Sequence, residues 1–152
     1  MLRDRSLIPL SQQHHNGLAL CVLTERSLRA DGAETNVTRL ARRALERYEL
    51  ELANHFEIEE QDLFPAIDRE LGRSILVTEL IADHRDLEAL IAELRAHPSV
   101  EALERFTGRL RAHIRREENE LFEEIQKRLP RQVLDQLGKT IEEKAVRICL
   151  TP

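Results

Sequence analysis

A ten-residue pattern recurs in this chain. His55-Phe-Glu-Ile-Glu59-Glu60-Gln-Asp-Leu63-Phe64 returns 58 residues later as His113-Ile-Arg-Arg-Glu117-Glu118-Asn-Glu-Leu121-Phe122, and Ile67 and Ile125 extend the match. The shared residues recur at helical spacing. Two helices of the chain therefore read as copies of one unit, and a bundle made of two related hairpins is the simplest fold that uses both. Five glycines and five prolines in 152 residues leave little turn chemistry, which excludes an all-β fold. The length suits one domain with a working hydrophobic core.

The breakers place the helices. Pro9, Leu10 and Ser11 start the first, with Ser11 as its N-cap, and Leu18, Cys21 and Leu28 carry it to Asp31-Gly32. The second begins at Thr35 or Asn36 and runs through Leu40, Leu45, Leu52, Phe56 and Leu63 to Leu71. Gly72 then ends it as a cap residue, and Pro65 is expected to kink its last turns. Ser74 caps a third helix with Val77, Leu80, Ile81, Leu87, Ile91 and Leu94 on one face, and His97-Pro98-Ser99 closes it. A fourth spans about Val100 to Leu129, and after Pro130 a shorter amphipathic segment carries Val133, Leu134, Leu137 and Ile141. Short connections make neighbouring helices antiparallel. The expected fold is all-α, an up-down-up-down four-helix bundle over residues 8–128, followed by a short fifth helix in 129–152 that packs on the bundle or on a partner.

A formal charge of -5, scattered basic residues and only five aromatics argue against a nucleic-acid partner. Met1-Leu2-Arg3-Asp4-Arg5 lacks the apolar core of a signal peptide, and no apolar run approaches a membrane span. Cys21 and Cys149 stand in no metal-binding spacing and read as two reduced thiols. A cytoplasmic protein, free of membrane contact, is expected. It would be a monomer or a homodimer.

The chemistry lies in the histidines. Residues four apart on a helix share a face, so His55 with Glu59, and His113 with Glu117, can each present a nitrogen and a carboxylate to one centre. The spacing alone says little, because His84 with Glu88 and His97 with Glu101 share it, and Pro98 breaks the helix inside the last pair. Depth adds more. His14 lies about 16 residues before the first turn and His55 about 19 after it, while His84 lies about 13 before the third turn and His113 as far after it. Four histidines, one per helix, thus reach a common level. In the first helix His14 lies on the stripe of Leu10, Leu18, Cys21 and Leu28, and His15 points about a quarter turn away toward the rim. His97 reads as a loop residue, and Glu60, Glu118, Glu120 and Glu123 as a solvated face.

Four imidazoles and two carboxylates inside an apolar bundle are costly unless a cation joins them. Nitrogen and oxygen donors without thiolate suit iron or manganese better than structural zinc. With His14 and His55 on one ion, His84 and His113 on the other, and Glu59 and Glu117 bridging, each ion receives two nitrogens and two oxygens. Room remains for an oxo or hydroxo bridge and an exogenous ligand. Two iron ions are therefore expected, with manganese or zinc as alternatives.

At His14, His55-x3-Glu59, His84 and His113-x3-Glu117, and above all in HFEIEEQDLFP, the chain resembles the HHE cation-binding branch of the haemerythrin family. The resemblance covers about residues 8 to 128. It implies a haemerythrin-like bundle and a di-iron centre bridged by Glu59 and Glu117 that binds oxygen, nitric oxide or peroxide. Glu88 stands where the oxygen-carrying members have a further histidine. The final carboxylate Glu117 is at the fourth place after His113, with Glu118 at the fifth. Four histidines and two glutamates are similar to the set in iron-centre repair proteins and iron-sensing domains of the family. The expected function is binding or sensing of iron, oxygen or nitric oxide. The alternatives are an enzyme acting on peroxide or nitric oxide, an iron donor in repair, and a metal-free interaction bundle.

Overall fold

Runs of apolar residues at helical spacing, interrupted by Asp31-Gly32, Gly72 and Pro98, fold into helices wherever a face can be buried. A computed structural model describes residues 2–148. It contains five helices and, among the described residues, no strand: α1 (Ile8–Ala30), α2 (residues 34–71), α3 (Ile75–Ala96), α4 (residues 100–128) and α5 (Arg131–Lys144).

Ser11 is not the cap of α1. The chain already turns at Arg5–Leu7, a 3₁₀ turn that Asp4 caps by accepting from the Ser6 N–H, and α1 follows directly from Ile8. Pro9 sits in the first helical turn, where its missing N–H has no partner to lose. Ser74 and Ser99 do cap α3 and α4, their hydroxyls accepting from the N–H groups of Val77 and Ala102. Gly72 ends α2 at φ 83° and ψ 176°, a conformation that side chains beyond glycine rarely adopt.

α2 and α4 depart from regular α-helix. α2 contains π turns at Tyr48–Leu52 and Glu59–Leu63, and α4 contains one at Glu117–Leu121. The Phe64 N–H reaches back to the Glu59 carbonyl, and the Phe122 N–H to that of Glu117. These two turns occupy the same place in the repeated string. Pro65 follows the first, in the first turn of the regular helix that resumes at Phe64, and its counterpart in the second copy is Glu123. The wide turn therefore accommodates the proline and is not caused by it.

The four long helices form a ring in which α1 and α3 each pack between α2 and α4. Their apolar residues make two separate clusters. One, toward the α1–α2 and α3–α4 connections, holds Leu20, Leu40, Leu52, Leu87, Leu94, Leu103 and Leu110. The other holds Leu10, Ile58, Leu63, Leu80, Leu121 and Phe122 together with Leu134, Leu137 and Ile141 of α5. The fifth helix thus lies on its own bundle, against the Arg5–Leu7 turn, α1 and α2. Each fully buried leucine contributes about 1.5–3 kcal/mol. A buried polar layer separates the two clusters, lying between Leu10 and Leu20 on α1 and between Leu80 and Leu87 on α3.

Cys21 is buried, with its sulfur 3.5 Å from the Thr107 carbonyl oxygen, and burial pushes its thiol up to about 11. Cys149 lies outside the described residues. Among the described residues no helix is long and apolar enough to cross a membrane.

Candidate metal centre

The polar layer is made of histidine and glutamate. α1 supplies His14, α2 supplies His55 and Glu59, α3 supplies His84, and α4 supplies His113 and Glu117; none is more than 3% exposed. His15 is exposed at the surface of α1. The six donors fall into two groups, His14, His55, Glu59 and Glu117 on one side and Glu59, His84, His113 and Glu117 on the other. Within each group the candidate ligand atoms lie within 4.8 Å of one another. Glu59 and Glu117 belong to both.

The inward nitrogens all meet carboxylate oxygen. His14 Nε2 lies 2.8 Å from Glu117 and His113 Nε2 2.9 Å from its other oxygen. His84 Nε2 is 3.1 Å and His55 Nε2 3.3 Å from Glu59 Oε1. The outward nitrogens fix the tautomers. His14 Nδ1 faces Glu118 at 2.7 Å, His84 Nδ1 faces Glu60 at 2.7 Å, and His113 Nδ1 faces Asp83 at 3.1 Å. A carboxylate only accepts, so each Nδ1 carries hydrogen and each neutral ring turns an Nε2 lone pair inward. His55 Nδ1 donates to the Gln13 side-chain oxygen at 2.9 Å, with the same result.

Lone pairs facing carboxylates repel unless a proton or a cation lies between them. His55 Nε2, Glu59 Oε2, His113 Nε2 and Glu117 Oε1 are buried with no hydrogen-bond partner, and all four belong to the two clusters. Such atoms and such a donor set, oxygen and nitrogen without sulfur, fit a metal cation of intermediate hardness.

The electrostatics carry the same tension. Burial and the charge of Glu117 push Glu59 well above the usual carboxylate range. Burial acts on Glu117 too, but His113, His14 and His55 overcome it and hold it well below. Burial opposes charge on His113, yet Glu117 and Asp83 raise it to about 9. His14 is raised in the same way, against its burial, by Glu117 and Glu118. Burial lowers His55 to about 4 and His84 to about 3.

Glu60 and Glu118 are not merely a solvated face. They anchor His84 and His14, and each is in turn held by a guanidinium, Glu60 by Arg85 and Glu118 by Arg3 at 2.7 Å. Both are repeat equivalents, a signal present in the string itself. Phe64 and Phe122, equivalents as well, stack on His84 and His14 at ring-centroid distances of 5.9 and 5.3 Å. Phe56 stacks on the other face of the site, 4.0 Å from His84. Glu88 pairs with Arg85 and takes no part in either cluster. His97 is exposed at the end of α3.

No curated protein and no solved structure matches the chain. The family model described as Hemerythrin HHE cation binding domain matches residues 9–125, a span that holds most of the four-helix bundle and all six inward donors. The chain belongs to the hemerythrin HHE cation-binding family.

Proposed function

We propose that the chain binds a pair of iron ions and uses them to sense or buffer iron, oxygen or nitric oxide. The observation that carries this reading is the sharing of Glu59 and Glu117 between two four-residue donor clusters. His14 and His55 would hold one ion and His84 and His113 the other, with the two glutamates between them. An iron pair held by four protein donors per ion supplies redox activity and open positions for a small ligand such as oxygen, nitric oxide or peroxide.

The surrounding residues support binding over turnover. Glu60, Glu118 and Asp83 are each engaged by a histidine, so none of them stands free as an acid or base. Phe56, Phe64 and Phe122 lie against the imidazoles and wall the centre with apolar surface. Donors this deeply buried admit only a small ligand.

Elemental analysis of protein purified without chelator tests the reading, and about two irons per chain are expected. Loading should also raise the thermal midpoint, since a ligand bound only by the native state stabilises it. Less than about one iron or manganese per chain, with no thermal gain on loading, removes the proposal. His55→Ala and Glu117→Ala should each abolish dinuclear absorption while the far-ultraviolet spectrum stays helical. Full metal content in both variants contradicts the ligand set.

A further inference from the structure

The bonding pattern of the centre repeats between the two hairpins except at one place. His14 and His84 both give Nδ1 to a glutamate, Glu118 and Glu60, and both glutamates are held by an arginine. These partners are of the same chemical kind on the two sides. His55 and His113 occupy equivalent places in the repeated string, and their Nδ1 partners also sit alike, each one residue before the histidine of the preceding helix. Here the chemistry differs. The partner of His113 is the Asp83 carboxylate, and the partner of His55 is the Gln13 amide.

Gln13 is 3% exposed and its orientation is locked. Its Nε2 donates to the Asn54 side-chain oxygen at 3.0 Å and to the Val146 carbonyl at 3.1 Å, and a carbonyl can only accept. The amide oxygen must therefore face His55. Flipping the amide would break both hydrogen bonds, and neither of its ends carries a charge. Beyond His113, Asp83 faces the Arg109 guanidinium only loosely, 3.7 Å away, half-exposed and shared with Asp86.

We propose that Asp83 and Gln13 are positioning residues that make the two cation positions unequal, so that the position framed by His84 and His113 fills first and the one framed by His14 and His55 is weaker and exchangeable. This rests on the metal-binding reading above. An imidazole whose outer N–H donates to a carboxylate is a more basic ligand than one donating to an amide, and its anionic partner adds attraction for the cation. One position is backed by two carboxylates, Glu60 and Asp83. The other is backed by Glu118 alone. Losing such an outer partner costs about 10- to 100-fold in metal affinity, and the two positions should differ by a similar factor.

Calorimetric titration of the metal-free full chain with cobalt(II) tests this, with the cobalt ligand-field spectrum recorded at each step. The native chain should bind two ions in resolved steps whose dissociation constants differ by about 10-fold or more. Asp83→Asn should weaken the first step by about 10- to 100-fold and merge the two, while helicity is retained, and Asp83→Glu should restore part of the separation. His55→Ala should keep the tight step and His113→Ala should lose it. Two ions bound with equal affinity, an unchanged first step in Asp83→Asn, or a tight step lost in His55→Ala and kept in His113→Ala overturns the inequality. A native chain that binds less than one cobalt ion fails differently: it overturns the metal-binding reading itself.

Discussion

Glu59 and Glu117 hold matching places in the repeat, yet without a cation they are different chemical species. Glu59 is pushed toward its neutral acid by burial and by its neighbour's charge, whereas Glu117 remains a carboxylate between His14 and His113. Substitution by the neutral amide should separate them. Glu59→Gln replaces a carboxyl that its surroundings push toward the neutral form with a near isostere, so denaturant unfolding of the metal-free variant should show a change within about 1 kcal/mol. Glu117→Gln strips the counter-charge from two buried imidazoles and should cost about 3–5 kcal/mol in the same measurement. Both variants should lose metal. At this scale the inward donors were legible because helical spacing and repetition act together at His55, Glu59, His113 and Glu117. The outer partners were less so. Glu60 and Glu118 hid among the many glutamates of a charged surface, and Gln13 has no signature, since an amide becomes informative only once its hydrogen bonds are seen.

Helix limits and faces were largely readable because Gly72, Ser74, Pro98 and Ser99 act through local backbone chemistry. The π turns were not. A turn widened by one residue leaves the same residue types in the same order, and only the carbonyl chosen by the Phe64 and Phe122 N–H groups reveals it. The docking of α5 was equally hidden, because an apolar stripe does not name what it covers. A side chain at Gly138 would bring Cβ to 3.1 Å from Ser6 Cα, so helix and turn meet backbone to backbone. Gly138→Leu raises intrinsic helix propensity but cannot fit that contact. The overpacking should loosen the docking of α5 on the Arg5–Leu7 turn, costing about 1–3 kcal/mol. Faster amide exchange across Arg131–Lys144, with metal content unchanged, is the expected result; unchanged protection there would show that the contact yields elsewhere.

Across the whole molecule, a charged layer between two apolar cores makes stability depend on pH from both sides. His113, raised to about 9, contributes stability to the metal-free protein that is fully present below its ordinary 6.5 and lost as pH rises through about 9. His55 and His84, lowered to about 4 and about 3, refuse protons that the unfolded chain accepts, so stability also falls as pH drops below 6.5 toward those values. Urea midpoints of metal-free protein should therefore peak near neutrality and decline on both sides. A curve flat up to about pH 10 would contradict the assignment of His113. The bundle itself was legible from the repeat and the breakers, and the common level of the histidines followed from helix rise. What lay beyond the sequence was the way the halves interlock. His14 of the first hairpin rests on Glu117 and Glu118 of the second, and His84 of the second rests on Glu59 and Glu60 of the first. Neither hairpin owns a complete set of donors. A cation held there would act as a clasp across the seam, and its departure would loosen the join between two half-molecules before it unwound any helix.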